Sequence, residues 1–315
     1  MKFKPPEDVT DFSRVSSRKI WTQNRRVEFD KGSSDFVLTS KKQLFVWILP
    51  FLVLILLFFI VPLLYMVISS FSNGDGFTLG HYQEVLTSSY ILQGFKNSIT
   101  LSAVSAIIAL IITLFAVYAM MRFSEPVRER ILMISNLTSN FSGIPLAFAF
   151  IVLLGNSGLF TLLFEKWGIE SLTSFSLYSW GGLLLVYIYF QLPLSLMLLY
   201  PIYYGIQQQW KDAASLLGAS TFQFWRKIGV PIMLPGIVGT FSVLFANAMG
   251  AYASAYALTG SNYNLVAIRI GALLSGDIFA QPELASAIAV LLGVTMIIAM
   301  LLSEWSIKKT RRNLK

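Results

Sequence analysis

Six long apolar runs dominate the sequence and limit what the chain can fold into. A helix needs about 20 apolar residues to cross a hydrocarbon core about 30 Å thick, and continuous runs lack the alternation of membrane β-strands. The mean hydropathy of +0.66 and the charged content of 13% agree with a membrane protein. The sequence therefore predicts an all-α membrane protein with six transmembrane helices. The runs cover residues 44–70, 98–121, 131–154, 181–204, 236–258 and 284–302.

The basic residues predict which side of the membrane each end of the chain occupies. Lys and Arg are enriched in the cytoplasmic segments of membrane proteins. With both termini in the cytoplasm, 21 of the 24 Lys and Arg residues lie on that side, and only Lys96, Lys166 and Arg269 lie outside. We therefore expect a multi-pass protein with both termini cytoplasmic. Its predicted parts are an N-terminal tail (1–42), a transmembrane domain (43–304) and a basic C-terminal tail (305–315).

The predicted helices contain no Asp, Glu, Lys, Arg or His. Carriers coupled to protons or ions commonly place such groups within the membrane, so an ATP-independent secondary carrier is disfavoured but remains an alternative. The chain has no cysteine and one histidine, His81, which excludes thiolate metal sites and leaves that histidine without partners for metal binding or catalysis. It also lacks paired aspartates or a His-Glu-x-x-His motif, so we expect no enzyme activity.

Several uncharged polar side chains do lie within the predicted helices, and some share a helix face because they are four residues apart. They have two interpretations: they line a solute pathway, or they form hydrogen bonds between helices. The candidate pathway residues are Asn136, Asn140, Gln191, Asn247, Tyr252 and Tyr256.

The segment "KDAASLLGASTFQFWRKIGVPIMLPG", residues 211–236, separates the fourth and fifth runs and predicts a helix-turn-helix, here called the elbow. Gly218 stands where a helix ending after Leu217 needs a left-handed residue. Ser220 precedes Gln223 by three residues, the spacing of a capping box, so a second helix is predicted from Thr221. Pro231 and Pro235 are expected to limit extension of this helix toward the membrane. The elbow fits docking of another protein or an interfacial helix equally well.

The spacing of residues in the elbow resembles the signature loop of permease subunits of bacterial binding-protein-dependent ABC importers. The pattern is Asp212-Ala213-Ala214, three residues, Gly218, nine residues, Ile228, one residue, and Val230-Pro231. The family has Glu at the first of these positions and Leu before the proline. Softer similarity to the spermidine/putrescine-type subgroup extends over "VLLGNSGLF", "YFQLPLSLMLLYPIYYGI" and "FANAMGAYASAYALTG".

The resemblance implies a six-helix ABC importer permease fold in which residues 205–235 form a cytoplasmic coupling loop. It implies that Asp212, Ala213, Ala214 and Gly218 contact an ATPase subunit, with Ile228 and Pro231 completing the motif. The chain would bind no cofactor itself, since ATP and Mg would be bound by the partner ATPase. The sequence has no Gly-x-x-x-x-Gly-Lys-Ser/Thr phosphate loop.

The same resemblance implies the partners and the location of the protein. It predicts two ATPase subunits, a second permease subunit, with a heterodimer favoured over a homodimer, and an extracytoplasmic solute-binding protein. The setting is the lipid bilayer of the bacterial cell membrane, and no nucleic acid is expected. A polyamine is the first candidate substrate, because tyrosine faces attract cations; iron, phosphonate and sulfate are alternatives.

Overall fold

The computed structural model describes residues 46, 48–74, 76–169, 175–275 and 279–313. The predicted N-terminal tail, residues 1–42, lies outside the described residues. The chain forms two units, residues 1–62 and 63–315. In the first unit, residues 48–62 are helical, with a π-helical turn at Leu56–Ile60, and their apolar side chains are exposed.

Twelve helices account for most of the described residues, and their order places the turn of the elbow between the fourth and fifth long apolar helices, with its second limb forming the start of the fifth. The bounds are α1 Ile48–Ser69, α2 Gly80–Thr87, α3 Ser89–Met120, α4 Glu125–Ser139, α5 Ile144–Leu154, α6 Leu159–Lys166, α7 Trp180–Tyr204, α8 Gln208–Leu216, α9 Thr221–Met249, α10 Tyr252–Thr259, α11 Val266–Ser275 and α12 Pro282–Asn313.

Six helices are long and apolar enough to cross a membrane, which confirms the predicted fold class. The third comprises α5 and α6 and lies further along the chain than predicted, at Ile144–Lys166 instead of residues 131–154. Residues 140–143 break the predicted span, because Gly143 adopts a positive φ of 74° and Pro145 in the first turn of α5 has no N–H to donate. At the C-terminus, α12 continues to Asn313, so most of the predicted basic tail is helical.

The expectation that two prolines limit the elbow's second helix is wrong. Helix α9 runs through both Pro231 and Pro235 and ends at Met249. A π-helical turn at Trp225–Gly229, in which Val230 N–H bonds to Trp225 O, widens the helix just before Pro231. This wider turn accommodates a residue that has no N–H to donate to the preceding turn. The fifth span ends at Met249, before the predicted residue 258, because a break separates it from α10, which begins at Tyr252.

One face of helix α3 carries small buried side chains, and Ser105 on this face contacts Gln191 of helix α7. Ser98, Ser102, Ser105, Ala109 and Thr113 recur every three or four residues and are all buried. Small residues let two membrane helices approach each other. Leu183, Val186 and Phe190 of α7 contribute to the buried core that forms beside them.

Gln191 is fully buried at this contact rather than on an open surface. Its Nε2 donates to Ser105 Oγ at 2.8 Å and to Tyr187 O at 3.0 Å. The structure therefore gives it the interhelical role, the alternative to the predicted pathway role. Ser195, one turn further along α7, is also fully buried, but its Oγ has no hydrogen-bond partner.

The bond between Gln191 and Ser105 and the buried hydroxyl of Ser195 give a matched prediction for stability. Ser105→Ala removes the acceptor of the interhelical hydrogen bond, which contributes about 0.6 kcal/mol in membranes, and should lower the thermal midpoint by about 2 °C. Ser195→Ala removes a buried hydroxyl that has no partner and should leave the midpoint unchanged or raise it. Intrinsic fluorescence of the protein purified in detergent measures both midpoints. Equal destabilisation by the two substitutions would contradict the assignment.

Candidate functional site

The first limb of the elbow ends as the sequence predicts, in a left-handed glycine. Helix α8 ends at Leu216, and Gly218 has a φ of 77°. Gly218 N–H bonds to Ser215 O and Ala219 N–H bonds to Ala214 O, both at 2.9 Å. This pair of bonds is a Schellman motif, which satisfies the free carbonyls of a helix end. At this motif the chain turns from the first limb of the elbow into the second.

The second limb begins with the predicted capping box. Ser220 Oγ accepts a hydrogen bond from Gln223 N–H at 3.2 Å, and Gln223 Oε1 accepts one from Ser220 N–H at 2.9 Å. Both bonds satisfy N–H groups that a helix start leaves without partners. The predicted helix-turn-helix is therefore confirmed. Backbone hydrogen bonds hold the turn where the first helix ends, and side-chain hydrogen bonds hold it where the second helix begins.

The structure divides the six predicted coupling residues into two groups. Asp212, Ala213 and Gly218 are exposed on the elbow. Ala214 is only 7% exposed, and it packs inside the chain in a cluster with Tyr203 and Phe224. A residue so deeply buried supports the elbow from within and offers little surface to a partner. Ile228 and Pro231 are half-buried in α9 and belong with it.

The most exposed apolar side chains of the elbow were not among the predicted residues. Leu216 and Leu217 are each 88% exposed, and Phe222 at the start of the second limb is 71% exposed. The two leucines lie between the fourth and fifth apolar helices, outside both. Exposed apolar patches of this kind mark interaction sites. The sequence signal was the apolar pair directly before the glycine. We call these three residues the apolar tip.

A second candidate site is a cavity of about 590 Å³ beside two helix breaks. One break separates α4 from α5 and the other separates α9 from α10. Asn140, Asn247 and Tyr252, three of the predicted pathway residues, meet at this cavity. The complete lining is Ser139, Asn140, Ser142, Gly143, Phe190, Leu194, Asn247, Gly250, Ala251, Tyr252, Ala253 and Ser254.

The other predicted pathway residues lie outside the cavity lining. Asn136 is exposed on α4, where its backbone carbonyl oxygen accepts a hydrogen bond from Asn140 Nδ2 at 2.9 Å. Tyr256 is exposed on α10, and its ring stacks on Tyr252 with centroids 5.3 Å apart. Gln191 is packed between helices, as described above. Tyr256 thus extends the aromatic wall of the cavity, whereas Asn136 does not reach it.

Hydrogen bonds hold the two helix breaks against each other. Gly143 N–H donates to Ser254 Oγ at 3.0 Å, so the break before α5 is tied to α10. Tyr187 of α7 donates its phenol O–H to Ala251 O at 3.1 Å in the other break. Non-helical backbone at membrane depth is tolerated where it lines a cavity or is buried in protein. These bonds make the cavity wall a fixed part of the fold.

The cavity lining consists of hydroxyl, amide, backbone and apolar groups. None of its lining residues is Asp, Glu, Lys, Arg or His. Such a surface can bind a solute by hydrogen bonds and by contact with the Tyr252 ring.

Comparison with known proteins places these features in one family. Residues 112–312 match the family described as the binding-protein-dependent transport system inner membrane component. The matched region includes the elbow and the whole cavity lining.

Individual relatives differ in the solute named in their descriptions. The spermidine/putrescine transport system permease protein PotC of Escherichia coli (strain K12) is 24% identical over 79% of this chain and 90% of its own length. The putative ferric transport system permease protein FbpB 1 of Haemophilus influenzae is 26% identical over 80% of this chain, which spans 39% of that protein. A bacterial ABC transporter that imports alginate shares the fold, with a TM-score of 0.66 at 17% identity over 90% of this chain and 100% of its own.

Proposed function

This chain belongs to the binding-protein-dependent transport system inner membrane components and is a permease subunit of an ABC importer, and from this premise we propose that its elbow couples a solute cavity to ATP hydrolysis by a separate subunit. The observation that carries the proposal is the apolar tip. Two leucines that are 88% exposed stand on a turn fixed by hydrogen bonds. A rigid apolar projection fits a groove in a partner protein, because ordering it costs little entropy on binding.

The charges and small residues around the tip support docking of a protein. Asp212 is exposed on α8, where its carboxylate accepts a hydrogen bond from Gln208 Nε2 at 3.1 Å and remains open to a partner. Ala213 and Gly218 leave the backbone accessible beside the leucines. In the orientation proposed from the basic residues, with both termini cytoplasmic, this surface faces the ATPase compartment. ATP and Mg would bind to that ATPase and not to this chain.

We assign the solute pathway to the cavity between the two helix breaks. A second permease subunit, favoured as a different chain, would complete the pathway, and an extracytoplasmic binding protein would deliver the solute. A polyamine is the first candidate solute, supported by the description of the PotC relative and by the stacked Tyr252 and Tyr256 rings, which attract cations. The ferric relative keeps a metal-containing solute as the second candidate.

Isolation of the complex through this chain tests the proposed docking. In membranes solubilised gently from the native host, a tagged wild-type chain should co-purify with an ATPase subunit identified by mass spectrometry. Leu216→Ser combined with Leu217→Ser should reduce recovery of that subunit by about 30-fold, because burial of a leucine side chain contributes about 2 kcal/mol. The doubly substituted chain should still insert in the membrane, since the two leucines are outside the apolar helices.

The matched control combines Leu86→Ser with Leu274→Ser, two leucines that are 62% and 55% exposed outside the elbow. This control should retain the ATPase. Equal recovery of the ATPase with the Leu216 and Leu217 substitutions would contradict docking at the apolar tip. Failure of the wild-type chain to recover any ATPase would contradict the coupling proposal itself.

A further inference from the structure

Four aromatic rings meet where the elbow joins the membrane helices. Trp225 stands at their centre: its ring lies 5.2 Å from Tyr203 at the end of α7 and 6.0 Å from Tyr118 at the end of α3. The Phe224 ring lies 5.5 Å from the same indole, edge to face. Aromatic pairs at these distances stabilise beyond the area that they bury. Trp225 thus connects the second limb of the elbow to two membrane helices.

The first limb contacts the same indole. Lys211 of α8 places its Nζ 5.5 Å from the centroid of the Trp225 ring, within the range of a cation–π contact. Ala214, one turn later on α8, is buried in the cluster that includes Tyr203 and Phe224. A movement of either limb therefore reaches the Trp225 ring. The apolar tip takes no part in these contacts, so the ring cluster and the tip are separate surfaces of the elbow.

The backbone at Gly229 lies directly against the indole ring of Trp225. Trp225 begins the π-helical turn that ends at Gly229, and Gly229 is buried. A Cβ placed on Gly229 would lie 2.7 Å from Cζ3 of Trp225, too close for two carbon atoms. The indole therefore packs directly against the Gly229 backbone. Single π-helical turns inside α-helices occur frequently at functional sites.

We propose that Trp225 is a positioning residue that transmits movement of the docked elbow to helices α3 and α7, and through them to the solute cavity. This inference rests on the proposed docking of an ATPase at the elbow. Coupling between distant sites requires packed elements whose arrangement both sites influence. Trp225 meets this condition because it contacts both limbs on one side and the ends of two membrane helices on the other. Helix α7 also donates the Tyr187 hydrogen bond to the cavity wall.

The absence of cysteine from the chain allows a direct test. Ser142→Cys places a single thiol in the cavity lining, where its rate of labelling by a water-soluble maleimide reports access. The complex is purified with its ATPase, and labelling is compared with and without ATP and vanadate. With Trp225 present, ATP should change the labelling rate by about tenfold, a typical size for coupling between two sites. This readout requires no knowledge of the transported solute.

Substitutions of Trp225 then separate transmission from docking. Trp225→Leu should leave recovery of the ATPase unchanged and abolish the effect of ATP on labelling, whereas Trp225→Phe, which keeps a ring, should restore most of the effect. Gly229→Ala should impair the effect by displacing the indole without removing it. Its matched control is Gly239→Ala in the same helix, where an added Cβ meets no atom within 4 Å.

Each outcome bears on the inference in a defined way. A normal ATP effect in both Trp225→Leu and Gly229→Ala would overturn it, and so would loss of the ATPase from these variants, because Trp225 would then be part of docking. If Ser142→Cys alone recovers the ATPase but shows no ATP effect, the assignment of the cavity to the coupled pathway fails. If Ser142→Cys alone recovers no ATPase, the proposed docking fails, and the inference about Trp225 fails with it.

Discussion

Gly218→Trp should abolish ATP-driven transport without preventing insertion of the chain in the membrane. An added Cβ at Gly218 meets no atom within 4 Å, so a large ring would project from the turn beside the apolar tip. It would obstruct the surface on which we propose that the ATPase docks. The positive φ of 77° adds local strain for any residue with a Cβ. Obstruction of a binding centre commonly costs 2 kcal/mol or more, so binding should weaken by at least about 30-fold.

ATP hydrolysis by the purified complex and ATP-driven uptake into proteoliposomes measure this loss. Gly168→Trp is the matched control, because Gly168 also has a positive φ, of 68°, and open space around its Cβ position. In the proposed orientation it lies on the outer side of the membrane, away from the ATPase. The control variant should hydrolyse ATP normally. Normal hydrolysis and uptake with Gly218→Trp would show that the elbow does not dock the ATPase.

Asn247→Trp should block solute passage while leaving the ATPase bound. Asn247 lines the cavity at the end of α9, and an indole in its place would fill much of the space between the two helix breaks. Uptake of radiolabelled spermidine, with ferric iron as the second candidate solute, should fall more than about tenfold, because uptake requires the open cavity. Co-purification of the ATPase should be unchanged, since the cavity and the elbow are separate sites.

Asn136→Trp is the control for this substitution. Both asparagines are pathway candidates on sequence grounds, but Asn136 does not line the cavity. We expect uptake by the Asn136 variant to stay near the wild-type rate. A block by Asn136→Trp together with normal uptake by Asn247→Trp would place the pathway elsewhere in the protein.

The elbow could be predicted from the sequence because its geometry depends on neighbouring residues. A glycine after a helix and a serine three residues before a glutamine each determine a local hydrogen-bond pattern. Both patterns occur in the structure at Gly218 and at Ser220. The six apolar helices were predictable for a similar reason, since the length of an apolar run directly reflects the thickness of the bilayer core.

The helix breaks were not predictable from hydropathy. Averaging over a span treats "NLTSNFSG" as a weak part of one helix, and it does not show that Gly143 turns the chain there. The role of Gln191 was also open, because its hydrogen bond to Ser105 joins two helices through residues that are 86 positions apart in sequence. For the same reason, the sequence shows that Ala214 is small but not that it faces the chain's own core.

ATP hydrolysis by the complex purified through this chain tests the central claim most directly. We predict vanadate-sensitive hydrolysis with the wild-type elbow, and loss of that activity from the purified material when Leu216 and Leu217 are both replaced by serine. Vanadate-sensitive hydrolysis of equal size with the intact and the substituted elbow would contradict coupling through the apolar tip. A wild-type preparation with no hydrolysis above the vanadate background would contradict the claim that this permease couples its cavity to a separate ATPase.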